Sequence, residues 1–285
     1  MKLVRFGPKG AEKPGMIDGQ GTLRDLSGVI DDVAGDVLLP AGLAKLAGLD
    51  AATLPTVPGT PRLGPCVGRI GKLVCIGLNY SDHAAEAGVA PPAEPVIFLK
   101  ANSSICGPDD PILLPRGSQK TDWEVELAFV IGKGGRYIEE ADWADHVAGY
   151  CVCNDVSERA YQLESTGQWT KGKSADNFAP LGPWLVTADE IADPQALDLW
   201  LDVDGVRQQA GNTGTMIFPV REIIAYVSRF MTLEPGDVIS TGTPPGVGMG
   251  KKPPTYLRKG QTVTLGVDGL GAQRQAVIDW DDRPL

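Results

Sequence analysis

The chain has 285 residues, 42% of them hydrophobic, with 36 glycines, 23 prolines and a formal net charge of −10. That length allows one large domain, or one with a small appendage, and the apolar content supports a sizeable core. The acidic surplus with scattered Lys and Arg excludes nucleic acid as the expected partner, and no run approaches a membrane span.

Residues 1–66 read as a small β-rich unit. MKLVRFG and GMIDGQGTLRDLS are short strands joined by Gly-rich turns, and PTVPGTPRLGP (55–65) reads as a Pro-rich linker. The N-terminal MKLVRFGPKG lacks the apolar stretch of a signal peptide. Residues 67–285 form the larger unit. KLVCIGLNY (72–80) opens a buried strand, and SDHAAEAG (81–88) is a helix between a Ser/Asp start and a Gly stop. PVIFLKANSSI, DWEVELAFVIG and HVAGYCVCNDVS are strands, and DVSERAYQLEST is a helix capped by Ser157 or Asp155. LDLWLDVDGVRQQAG is a hairpin turning at Asp-Gly, and VREIIAYVSRFMTLEPGD is an amphipathic helix ending near Pro235. DVISTGTPPGVG and QTVTLGVDGLGAQRQAVID supply the last strands. There is no internal repeat, and the sum is a β-rich α+β fold. The five cysteines have no disulfide or zinc spacing; Cys151 and Cys153 aim the same way on a strand, too far apart to bridge. A reduced, cytoplasmic protein is expected.

The chemistry starts at TDWEVELAFVIG (121–132). On a strand, Glu124, Glu126, Ala128 and Val130 share one face, and Val125, Leu127, Phe129 and Ile131 share the other. Two carboxylates on a largely covered face repel each other and resist desolvation. Asp155 closes GYCVCND on the face of Cys151 and Cys153, where a strand gives way to a helix. A hard divalent cation, Mg²⁺, Mn²⁺ or Ca²⁺, would relieve such a cluster. On pattern alone, Glu124 and Glu126 also read as a solvent-facing pair bonded to Lys120 or Arg136. There are two histidines. His83 stands three residues before Glu86, so on a helix the pair shares a face, and the carboxylate can fix the tautomer of a general base. An exposed chance pair is the alternative. His146 has no such partner and reads as structural.

GLNYSDHAAE, PVIFLKANSSI, DWEVELAFVIGK, NDVSERAYQ, WTKGKSADNFAPLGPW and TGTPPGVG occur in that order. Together they resemble the fumarylacetoacetate hydrolase family over roughly residues 70–280. The resemblance implies the family's mixed β fold, a homodimer, and a divalent metal on Glu124, Glu126 and Asp155. It implies catalytic roles for His83 and Glu86, on a segment with Tyr80 that acts as a lid, and for Lys173 in WTKGKSADNFAPLGPW. It places Tyr80, Arg159, Gln162 and Thr243 at the substrate, and Lys100 in FLKANSS is a further candidate for lining the site. Arg159 also reads as an i,i+4 ion-pair partner of Asp155. The animal tyrosine-pathway member has a fourth metal carboxylate where this chain has Ile76. Three carboxylates suit Mg²⁺ or Mn²⁺ better than Ca²⁺ and argue against fumarylacetoacetate itself. The implied activity is hydrolysis of a C–C bond in a small 2,4-dioxo acid to pyruvate and a carboxylic acid. The bacterial members resembled most act on 2,4-diketo-3-deoxy-L-rhamnonate. Fumarylpyruvate or another acylpyruvate, or lyase chemistry such as oxaloacetate decarboxylation, are the alternatives, and a non-enzymatic metal-binding protein stands behind them.

Overall fold

The computed structural model describes residues 1–88, 90–164 and 166–283. Its strands begin with β1 (Lys2–Phe6), β2 (Lys13–Ile17), β3 (Leu23–Asp25), β4 (Leu73–Gly77), β5 (Val96–Lys100) and β6 (Ile105–Cys106). They continue with β7 (Ile112–Leu114), β8 (Thr121–Asp122), β9 (Val125–Ile131), β10 (Val147–Asn154), β11 (Ser157–Glu158) and β12 (Ala179–Thr187). The last are β13 (Asp198–Val203), β14 (Val206–Asn212), β15 (Val238–Ser240), β16 (Thr262–Val267) and β17 (Gly271–Asp279). Helices are α1 (Pro40–Ala47), α2 (Ser81–Ala87), α3 (Arg159–Leu163), α4 (Thr170–Lys173) and α5 (Val220–Phe230).

A ten-stranded mixed sheet runs β3-β2-β1-β12-β10-β9-β15-β4-β5, with β6 beside β12, and a five-stranded sheet runs β14-β13-β16-β17-β7. This is the expected β-rich α+β fold. Alternation on β9 explains the layering. Val125, Leu127, Phe129 and Ile131 join a core with Leu199, Leu201, Leu265 of the smaller sheet and Ile223, Ile224 of α5. Ala128 and Val130 join a second core with Cys151 and Cys153 of β10 and Leu3, Leu26, Val33 and Leu38 near the N-terminus. The central strands are therefore covered on both faces, as their near-continuous apolar runs require.

Residues 1–66 continue the large sheet through the β1–β12 pairing, and the Pro-rich stretch folds back on them, with Leu63 bridged to Phe6 and Thr56 to Arg24. The hairpin β13–β14 turns at Asp204 and Gly205, both with positive φ, as Asp-Gly predicts. Two boundaries differ from expectation. Helix α5 stops at Phe230, because Leu233 leaves it to exchange backbone hydrogen bonds with Gly135. Helix α3 is capped by Glu158, whose carboxylate accepts from Ala160 N–H at 3.2 Å, since Ser157 is held in the β11–β8 pair and Asp155 is bound elsewhere. All five cysteines are free and buried. Among the described residues no helix is long and apolar enough to cross a membrane.

Candidate active site

The antiparallel β9–β10 register sets Glu126 opposite Cys153 and Val125 opposite Asn154. One step further, Asp155 N–H donates to the Glu124 carbonyl at 2.9 Å. Glu124 and Asp155 thus meet across the strand ends, with Glu126 two residues back on the same face. One ligand oxygen from each lies within 4.8 Å of the others, and all three side chains are buried. Neither Lys120 nor Arg136 takes part: Lys120 pairs with Glu164, and Arg136 lies over the Tyr137 ring.

Three cations surround the carboxylates. Lys173 Nζ stands 2.6 Å from Glu124 and 2.7 Å from Asp155. Lys100 Nζ donates to Asp155 at 2.5 Å and to the Val156 carbonyl at 3.0 Å. Arg159 Nε donates to Asp122 at 2.9 Å, while its Nη2 lies 2.9 Å from Asp122 and 2.7 Å from Glu124, as ion pairs rather than aligned hydrogen bonds. Burial would raise Glu124, yet Lys173 and Arg159 bring its carboxyl down to about 2. Burial also opposes charge on Lys173, but Asp155 and Glu124 hold the ammonium well above the usual lysine range. Lys173 is therefore held as an ammonium between these two carboxylates.

Glu126 is the odd member. It accepts from Ser240 Oγ at 2.5 Å and Gly242 N–H at 3.0 Å. It has no ion-pair partner among the described residues. Burial, then Asp155 and Glu124, push its carboxyl well up. A buried carboxylate short of one cation, in an all-oxygen donor set, fits a hard divalent ion.

On α2, His83 Nδ1 lies 2.9 Å from Glu86 Oε2. With Nδ1–H donating to that carboxylate, Nε2 keeps a lone pair. Glu86 is itself held by Gly246 N–H, at 2.9 Å to Oε1 and 3.2 Å to Oε2. Gly246 has φ +103°, and a Cβ there would sit 2.1 Å from the Gln208 carbonyl, so the TGTPPGVG loop needs glycine at this point. Gly88, in the left-handed region at φ 68°, ends α2 as its Gly stop predicts.

These groups open on one cavity of about 290 Å³. Of the expected residues, His83, Glu124, Glu126, Asp155, Arg159, Gln162, Lys173 and Thr243 line it. Glu86 stands behind His83. Lys100 lies behind Asp155, its ammonium bound to that carboxylate, and is not among the residues lining the cavity. Tyr80 also stays off the wall, fully buried, with its hydroxyl unpaired among the described residues. The Thr243 hydroxyl already donates to Val125 O and accepts from Gln209 Nε2, each at 2.8 Å. Arg159 pairs with Asp122 and Glu124, not with Asp155. His146 is structural: it is buried, with Nδ1 2.6 Å from the Lys133 carbonyl.

Sequence reasoning missed Asp122, although it stands two residues before Glu124 in the same alternating series. It also missed the apolar walls, Phe98, Leu163, Trp169 and Met249. Trp169 packs edge-on to Phe98, ring centroids 5.4 Å apart, and sits where a Cβ on Gly77 would lie at 2.4 Å.

The profile of the fumarylacetoacetate (FAA) hydrolase C-terminal family matches residues 72–278. The chain belongs to the fumarylacetoacetate hydrolase family. A Burkholderia multivorans relative described only as a hydrolase is 64% identical over 276 residues, spanning 96% of this chain and 98% of its own. The structure of a fumarylacetoacetate hydrolase from the psychrophile Exiguobacterium antarcticum superposes with TM-score 0.85 at 36% identity, covering 98% of this chain and 99% of that one. Maleylpyruvate hydrolase from Sphingobium sp. SYK-6, solved with manganese(II) and pyruvate, gives 0.81 at 29% identity, covering 98% and 99%. Within this family, the buried carboxylate cluster marks the chain as a metal-dependent enzyme.

Proposed function

We propose that the protein hydrolyses the C3–C4 bond of a 2,4-dioxo acid, releasing pyruvate and a carboxylic acid, with Mg²⁺ or Mn²⁺ on Glu124, Glu126 and Asp155. The observation that carries this reading is the His83–Glu86 pair and the carboxylate cluster facing one cavity. When bound, the ion would supply positive charge to the substrate oxygen on which negative charge develops.

The residues divide the remaining work. Glu86, fixed by Gly246, orients His83 so that Nε2 takes a proton from water. The hydroxide adds to the C4 carbonyl. The C3–C4 bond then breaks, its electron pair leaving on C3 as the enolate of pyruvate. A proton returned to C3 completes pyruvate, and C4 leaves as the carboxylic acid. Lys173, bridging Glu124 and Asp155 as an ammonium, adds cationic charge beside the cluster or relays the proton. Lys100 anchors Asp155, and Gln162 offers its amide to the substrate.

The substrate we favour is 2,4-diketo-3-deoxy-L-rhamnonate, cleaved to pyruvate and L-lactate by a cytoplasmic homodimer. The manganese- and pyruvate-bound maleylpyruvate hydrolase supports another acylpyruvate as the second reading. Decarboxylation of a substrate such as oxaloacetate needs no water activator, and the ordered His83–Glu86 pair counts against it. The test is pyruvate release from 2,4-dioxo acids with Mg²⁺ or Mn²⁺. His83→Ala should lower turnover by about a thousandfold while metal binding, followed by calorimetry, stays unchanged. Steady turnover by that variant would remove His83 from the reaction.

A further inference from the structure

We infer that the substrate is a monoanion, a 2,4-dioxo acid whose acyl tail is short, uncharged and mainly apolar. This rests on the hydrolase reading above and narrows its substrate class. Among the described residues, the cations lining the cavity are Lys173 and Arg159. Both are already bound to carboxylates. Lys173 bridges Glu124 and Asp155, and Arg159 bridges Asp122 and Glu124 while its Nη1 donates to Gln162 at 3.1 Å.

The charges on the cavity wall point the same way. Three carboxylates (Glu124, Glu126, Asp155) against two cations (Arg159, Lys173) leave one negative charge. A divalent ion turns that into one positive charge, which a single substrate carboxylate neutralises. A second carboxylate would enter a site whose charge is already balanced, with no free cation on the wall among the described residues to pair it, and such burial is strongly disfavoured.

Beyond His83, Gln162 and Thr243, the side chains on the rest of the wall are apolar: Ile76, Leu78, Phe98, Leu163, Trp169 and Met249. The volume of about 290 Å³ is at the small end for a ligand site, which suits a short tail. Gln162 Nε2 makes no hydrogen bond among the described residues, since only its Oε1 is engaged. That neutral amide can meet one hydroxyl on the tail, as in the rhamnonate-derived compound, but it supplies no charge.

The test compares two compounds of equal length, 2,4-dioxoheptanoate and the diacid 2,4-dioxoheptanedioate. Pyruvate release is measured with the Mg²⁺-loaded protein, and binding by calorimetry with the Mg²⁺-loaded His83→Ala variant. The neutral-tailed compound should show kcat/KM higher, and Kd lower, by about tenfold or more. Leu163 is 42% exposed at the mouth of the cavity, so Leu163→Arg can add a cation there without overfilling the core. That variant should narrow the gap by about threefold or more. Equal or better handling of the diacid by the unaltered protein overturns the inference and leaves the hydrolase reading standing. Cleavage of neither compound overturns the hydrolase reading, and the calorimetric comparison alone then decides the inference: no preference for the neutral tail overturns it.

Discussion

With its ammonium 2.6 Å from Glu124 and 2.7 Å from Asp155, Lys173 bridges two of the three clustered carboxylates and leaves Glu126 to its two neutral donors. Asp122 works one layer further out. Its oxygens accept from Gly248 N–H at 2.7 Å and Met249 N–H at 2.9 Å, and they hold Arg159, which in turn reaches Glu124. Asp122→Asn keeps the volume but removes the charge and turns an NH₂ group toward donors. It should cost about 3–5 kcal/mol of stability, as breaking a buried pair does, measured by urea unfolding. It should also weaken Mn²⁺ binding, because Glu124 loses the support of a fixed Arg159; an unchanged Mn²⁺ affinity in the folded variant would detach Asp122 from the metal cluster. Glu124, Glu126 and Asp155 were legible from strand alternation, since a period of two decides which side chains share a face. The use of Arg159 was not. Helical spacing suggested Asp155, whereas the short strands β8 and β11 bring Asp122 beside it, and that pairing leaves no mark in the spacing of residues.

At the level of elements, α2 and the loop after β15 are latched together by one carboxylate. Glu86 receives Gly246 N–H while orienting His83, so the conformation of the loop sets the position of the base. Gly246→Ala forces a Cβ to within 2.1 Å of the Gln208 carbonyl in a conformation with φ +103°. The loop must shift, at a cost of about 1–3 kcal/mol. The expected outcome is a kcat lowered by about tenfold or more, because His83 loses its orientation, with a smaller loss of Mn²⁺ affinity, because the same loop supplies Gly242 N–H to Glu126 and Gly248 N–H to Asp122. Unaltered kcat in a folded variant would show that the loop does not position the base. Element types were readable from apolar alternation, turn residues and the Gly stop at Gly88. Two ends were not: α5 stops early because Leu233 pairs with Gly135, about a hundred residues away in sequence, and α3 starts at Arg159 under a Glu158 cap because Ser157 is held in the β11–β8 pair, each a tertiary contact that overrides local helical pattern.

Across the whole molecule, two cores on opposite faces of β9 and β10 hold the strand ends that carry the carboxylates. Placing an acidic cluster where both faces are covered is costly unless a cation completes it. Lys173, Lys100 and Arg159 supply three charges against Asp122, Glu124, Glu126 and Asp155, one short of balance. The central claim is that a divalent ion makes up the difference at this one point in the fold. The direct measurement is anomalous diffraction from crystals grown with Mn²⁺. The account predicts a single strong peak at about 2.0–2.3 Å from one oxygen each of Glu124, Glu126 and Asp155. Full electron density for Lys173 still bridging Glu124 and Asp155, with no anomalous peak among the three carboxylates, would contradict it.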